Sequence, residues 1–399
     1  MIFAMAIASI AFIMACGKSD VQHADNIEAI RPISDTVLTY SQEGAAPEIE
    51  IVEYQYEKPE DLFWSKAIYK NADGTAGRSI VRELDPATRL PIKEYSVDEF
   101  GETDYYHVLK YEANTNLLTQ KEVYAKSVAP ENKTEEFLYT YQDGVLITQT
   151  KREFSTDKSY KNVDGNNIVS EYTQRYLPNM KYRNKGLIET FARTEKSKMY
   201  CTAEMIKDYE IKGAKPGDIY YTEETVFDQN GYPVTYNSTD PSAGEEHRFS
   251  KEYYEVKLDE KGRITELIPY KNKEKDSIAK NALMWKFFYN NDGTIEKVEE
   301  FMKNDKTGKY KLIHGRDRYQ YFNPVPAMPF LSDASNINEH FCQHRQVYSK
   351  TETIIEKYDN KEKIVIYKTA SMDGGFPDKE LPGQMSKKVI TKFEKVKIK

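Results

Sequence analysis

Excess basic charge is missing from this chain of 399 residues: 57 Lys and Arg stand against 64 Asp and Glu, a formal net charge of −7. Without a positive surplus there is no electrostatic footprint for a phosphate backbone, and no nucleic-acid partner is expected. Apolar residues are scarce, 39% of the chain with 31 Tyr among them, so the core has to be thin and aromatic. Disorder is excluded by the same figures, because 13% Phe, Trp and Tyr is far above what unfolded chains carry. Cysteine is limited to three residues and tryptophan to two. The uncharged apolar run at residues 1–15 is shorter than the ~20 residues a spanning helix needs. No Gly-x-Ser-x-Gly elbow occurs, and Gly17-Lys18-Ser19 lacks the upstream glycine and strand of a phosphate-binding loop. No catalytic residue and no cofactor is therefore assigned.

What is present begins at the N-terminus. Residues 1–15 read MIFAMAIASIAFIMA, placed and sized as a secretion signal, and end in Ile13-Met14-Ala15-Cys16-Gly17. A small residue before the scissile bond and a thiol after it are what cleavage and acylation require. This segment resembles the lipobox of bacterial lipoproteins. The resemblance implies cleavage after Ala15, lipidation of Cys16, and a membrane held as partner through two acyl chains. Such a protein is expected in the bacterial cell envelope, with the outer membrane, on its periplasmic face or at the cell surface, as the favoured site. The polar stretch that follows reads as a tether over 16–45. With Cys16 acylated, Cys201 and Cys342 remain as an even pair for a disulfide in an exported chain.

Along the body one unit recurs: an aromatic or aliphatic residue, a few residues rich in Asn, Asp and Lys, a glycine, then an alternating run. Instances are Tyr69-KNAD-Gly74, Tyr141-QD-Gly144, Tyr160-KNVD-Gly165, Tyr182-RNK-Gly186, Phe227-DQN-Gly231, Leu258-DEK-Gly262 and Tyr289-NND-Gly293, with a worn copy at Tyr358. Asn and Asp bond their own backbone at turns and glycine takes positive φ, so each unit reads as a β-hairpin. The fold class expected is mainly β: an antiparallel sheet of consecutive hairpins, open or curled into a partial barrel, with few short helices. The segments 258–267, 227–236 and 289–298 are similar to the YD-type repeats of bacterial envelope and toxin-delivery proteins, a resemblance that implies hairpin architecture and no activity. Glu195–Tyr209 and Asp276–Phe287 are each expected to hold a short helix. The organisation read from these patterns is a signal over 1–15, a tether over 16–45, a repeat-built β domain over 46–322, a Pro-containing loop over 323–338, and hairpins over 339–399 packed on the main body.

Three constellations are candidates for chemistry. His340, Cys342 and His344 share a face if the segment is a strand, a weak metal set that competes with the disulfide for Cys342. Trp64 and Trp285 are the residues most suited to stack on a ligand, in a chain whose Tyr105-Tyr106, Tyr220-Tyr221, Tyr253-Tyr254 and Tyr319/Tyr321 otherwise read as cross-strand filler. Glutamate pairs such as Glu135-Glu136, Glu223-Glu224 and Glu299-Glu300 point to opposite faces of a strand, so they do not work as an acid and a base. The function expected is an envelope-anchored, non-enzymatic binding or structural role with a carbohydrate or protein partner. The alternatives are a carrier of lipid or lipoprotein in a curled half-barrel and, third, a glycan-acting hydrolase.

Overall fold

The computed structural model describes residues 27–41, 45–103, 105–113, 115–125, 132–142, 145–177, 192–211, 213–240, 249–275, 283–291, 295–303, 310–321, 342–347, 351–358, 361–369 and 384–398. The opening strands are β1 (Ile27–Thr39), β2 (Glu48–Gln55), β3 (Lys66–Asn71), β4 (Ala76–Leu84), β5 (Pro91–Val97), β6 (Tyr105–Tyr111), β7 (Leu118–Ala125), β8 (Lys133–Gln142) and β9 (Val145–Phe154). There follow β10 (Ile168–Tyr176), β11 (Ala192–Tyr200), a helix α1 (Ala203–Asp208), β12 (Ile219–Phe227), β13 (Pro233–Thr239), β14 (Phe249–Leu258) and β15 (Ile264–Tyr270). The last are β16 (Leu283–Tyr289), β17 (Ile295–Lys303), β18 (Tyr310–Tyr321), β19 (Cys342–Val347), β20 (Thr351–Tyr358), β21 (Glu362–Thr369) and β22 (Gln384–Ile398).

All 22 strands belong to one sheet. Each strand from β1 to β19 pairs antiparallel with the next, and β20, β21 and β22 do the same. The two runs meet where β22 pairs with β1 over twelve positions, from Ile27 opposite Ile398 to Thr39 opposite Lys387. Among the described residues no ladder joins β19 to β20, and the sheet is not closed into a barrel. It is strongly curled, however. Arg193 on β11 lies 4.0 Å over the ring of Trp285 on β16, five ladder steps and about 24 Å away if the sheet were flat.

The hairpin turns explain why this sequence makes this sheet. Asp259 accepts from the backbone N–H groups of Lys261 and Arg263 through one carboxylate oxygen, both at 2.9 Å, and Gly262 supplies the φ of +72° that closes the turn. Asp228 repeats this with Asn230 and Tyr232 at 2.9 Å. A register shift sits beside both turns, Val226/Phe227 and Lys257/Leu258, the one-residue bulge that a type I turn with a left-handed fourth position imposes. Neighbouring turns are then stitched sideways by tyrosine. Tyr111 donates to the Pro91 carbonyl at 2.7 Å, Tyr141 to Leu118 at 2.8 Å, Tyr289 to Ile264 at 2.7 Å and Tyr232 to Gly262 at 2.9 Å. Arg263 completes the unit by bonding Asp259 at 2.7 Å with its guanidinium 4.3 Å over the Tyr289 ring.

The inner face carries three apolar clusters. The first runs from Phe63 and Leu84 through Leu109 and Leu118 to Tyr176, the second gathers Leu177, Ile264, Leu267, Phe287 and Val298, and the third holds Val52, Tyr54, Trp64, Ala67 and Ile80. Charged side chains share that face. Arg82, Glu94 and His107 stand opposite one another on β4, β5 and β6, as do Asp35, Thr391 and Lys363 on β1, β22 and β21, all buried.

Several expectations change. Ile27–Thr39, read as tether, is strand β1; its partners β2 and β22 hold it on both edges, a long-range pairing that no local pattern announces. Hairpins read as packed on the body over 339–399 instead extend the same sheet, since β20–β22 lead into β1. The helix expected over Glu195–Tyr209 shrinks to α1, capped by the Thr202 hydroxyl, which accepts from Met205 N at 3.2 Å. Residues 192–200 are instead β11, because β10 and β12 offer paired edges on either side. In the second expected helix, Leu283–Tyr289 is strand β16, as its aromatic run prefers; residues 276–282 lie outside the described set, as do 1–26 with Ala15 and Cys16, and 323–338.

Candidate functional site

Of the two tryptophans, Trp64 is 2% exposed in the connection between β2 and β3, with the Arg82 guanidinium 3.4 Å over its ring and Tyr54 at 5.8 Å. It is a core residue and not a surface stacker, because the β2–β3 connection folds beneath the curled sheet and places the ring against a buried cation. Arg82 bonds Glu94 at 2.7 Å, and Glu94 turns its other oxygen to His107 Nδ1 at 3.2 Å. Burial alone would raise the Glu94 carboxyl, but the Arg82 charge and the His107 and Arg82 hydrogen bonds outweigh it and hold it down at about 2. Trp285 is half-buried on β16, one ring face covered by Arg193. Burial pushes the pKa of Arg193 down, and the partial charges and carboxylate of Tyr254, Glu300 and Tyr172 oppose that.

Cys201 is a free thiol, 1% exposed. Its expected disulfide partner, Cys342, opens β19, and the side chain of Cys342 lies outside the described residues. Cys342 and His344 do fall on a strand and two residues apart, while His340 and the side chains of that strand lie outside the described set. Among the described residues no three His, Cys, Asp or Glu side chains gather around a metal-sized space.

The tyrosine pairs mostly staple strands. Tyr95, Tyr106 and Tyr124 stand in register across β5, β6 and β7. The Tyr106 and Tyr124 rings stack at 4.7 Å and 5°, so their faces are spent on each other. Adjacent glutamates diverge as strand geometry requires: Glu135 pairs with Lys151 at 2.8 Å, while Glu136 pairs with Lys133 at 2.7 Å and Arg152 at 3.1 Å.

A groove of about 340 Å³ opens where β10 and β12 end and β11 begins, lined by Arg175, Glu195, Lys196, Glu224, Thr225, Phe227, Asp228, Gln229 and Gly231. Thr173 pairs with Lys196 and Gln174 with Thr194, which leaves Glu195 as the extra residue of a bulge. Its carboxylate accepts from Arg175 at 3.1 Å. Lys196 stands opposite Glu224 in the next ladder, and the Arg175 guanidinium lies 5.3 Å from the Phe227 ring centre. Apart from the turn at Phe227-DQN-Gly231, none of this is marked in the sequence. A bulge leaves no composition signal, and the groove joins three strands whose pairing is set by the sheet.

No family model matches the chain, and no curated protein matches it. Among solved structures it is similar to a porin-like protein from Bacteroides uniformis, with 10% identity and a TM-score of 0.24 over 70% of this chain and 93% of that one. A porin-like protein from Bacteroides vulgatus gives 12% identity and 0.19 over 62% and 95%. The Photorhabdus luminescens Tc holotoxin pore gives 10% and 0.19 over 86% of this chain and 18% of that chain. At these scores the likeness bears neither on sheet closure nor on function.

Proposed function

We propose that the protein is an exported lipoprotein of the bacterial cell envelope, anchored through Cys16, whose curled sheet has a non-enzymatic binding or structural role. The observation that carries the binding role over the carrier role is the filling of the inner face. A lipid carrier needs a dry apolar hollow. Here the concave side holds the Arg82–Glu94–His107 chain with Trp64 beneath it, and Arg193 against Trp285, charged groups whose uncovering before an acyl chain is costly. Recognition then belongs to the ends of the strands, where the groove provides charge, amide and aromatic groups together.

The test is fractionation of cells expressing the parent chain and Cys16→Ala. The parent is expected with membranes and the variant in the soluble exported fraction. Equal partitioning of the two would overturn the anchor. Extraction of bound lipid with the purified Cys16→Ala protein would restore the carrier.

A further inference from the structure

The lining of the groove is specific enough to name a ligand class, an inference that rests on the binding role proposed above. We infer that the groove between β10, β11 and β12 receives an uncharged sugar ring, part of an oligosaccharide or of a glycan chain. Charges of both signs are interleaved within it. Arg175 and Lys196 are cationic, Glu195 and Glu224 anionic, and Gln229 adds an amide. A ligand of either sign meets a like charge a few ångströms from its partner. A neutral polyol does not: its hydroxyls donate to Glu224 and Glu195 and accept from Lys196 and the Gln229 amide.

A further feature fits the same occupant. One branch of the Arg175 guanidinium is fixed on Glu195 at 3.1 Å, which holds that pair of charges in place at the groove wall. Phe227 supplies an aromatic ring at the groove wall, only half-buried, for the C–H face of the ring. The volume, about 340 Å³, falls at the lower end of the ~300–1,000 Å³ that small-molecule sites occupy. Rigidity comes from the Asp228 turn, whose carboxylate accepts from the Asn230 and Tyr232 N–H groups at 2.9 Å, beside the bulge at Glu195.

The experiment is isothermal titration of the full chain carrying Cys16→Ala with maltohexaose, cellohexaose, xylohexaose, mannohexaose and chitohexaose, and with trigalacturonate as an anionic control. At least one neutral oligosaccharide is expected to bind and trigalacturonate to bind more weakly. Glu224→Gln, at an exposed position, is expected to weaken that binding about ten-fold or more through loss of a charged hydrogen-bond partner, with circular dichroism unchanged, and Phe227→Ala about ten-fold through loss of the ring that meets the sugar C–H face. Binding of a matching insoluble polysaccharide with the same variant sensitivity identifies a polymer as the source; binding of the free hexasaccharide alone identifies a soluble one. The inference is overturned if trigalacturonate binds best, if no neutral sugar binds, or if both variants bind as the parent does. In the last case, a sugar bound elsewhere leaves the envelope-binding role standing, and the anchoring test is independent of all these results.

Discussion

Single atoms decide stability at a few positions. Gly217 has φ +94°, and a Cβ there would lie 2.3 Å from the Lys161 carbonyl oxygen; Gly217 N closes the β11–β12 connection on Cys201 O at 2.8 Å, and Val163 N, from the β9–β10 connection, reaches Gly217 O at 3.0 Å. Gly74 has φ +84° with nothing within 4 Å. Gly74→Ala therefore carries only the left-handed penalty of about 1–2 kcal/mol, whereas Gly217→Ala adds a backbone clash and is expected to lower the urea midpoint further, visibly so when the two are compared by fluorescence. Tyr289→Phe removes one phenol–carbonyl bond at 2.7 Å and should cost about 1 kcal/mol by the same measurement. The glycine and tyrosine of each turn were legible in the sequence as a motif. The Lys161 contact was not, because it joins two connections more than 50 residues apart.

At the scale of the element, the Asp of each turn is the organiser. Asp259 holds two backbone donors and Arg263 at once; burial, the largest single effect, pushes its carboxyl up, and these hydrogen bonds with the Arg263 charge together outweigh it and set the carboxyl below the usual range. Asp259→Ala is expected to destabilise by about 1–3 kcal/mol, while Asp259→Asn, which keeps an acceptor oxygen, should lose less; hydrogen exchange at Lys261 and Arg263 would report the turn directly. Faster exchange in neither variant would refute this account. Here local pattern and structure agree, since an Asx turn is chemistry within five residues. Strand β11 is the opposite case. Glu195–Tyr209 has helix-forming residues, yet two waiting strand edges override propensity, and only after Thr202 caps the chain does one turn and a half of helix form.

For the whole molecule, the charge chain beneath the sheet predicts an acid response. Glu94 is held at about 2 against an ordinary 4.5. A depressed carboxyl contributes stability above 4.5 that is lost as pH falls towards 2. Asp35, raised by burial ahead of its Thr391 and Tyr54 hydrogen bonds, works the other way and is relieved by protonation. Glu94→Gln is expected to lower the denaturation midpoint at pH 7, by about 3–5 kcal/mol because Arg82 is left uncompensated, and to flatten the fall in stability between pH 4.5 and 2. Urea titrations across that range compare the slopes; parallel curves for parent and variant would show that Glu94 is not the group responsible. The pairing of β1 with β22 sets the first described strand beside the last, with β2 on its other edge.

Composition and turn chemistry, read from the sequence alone, determined the mainly β class, the hairpin turns at Tyr69–Gly74, Phe227–Gly231 and Leu258–Gly262, and the thin aromatic core, because alternation and Asx–Gly turns act over a few residues. Tertiary structure alone decided that 27–39 is a strand, that Trp64 lies beneath Arg82, that Cys201 stays free, and that Arg175, Glu195, Lys196, Glu224 and Phe227 share one groove. Each of these depends on which strand edges meet and how tightly the sheet curls, and those are set by the burial of the whole inner face and not by any local stretch of chain.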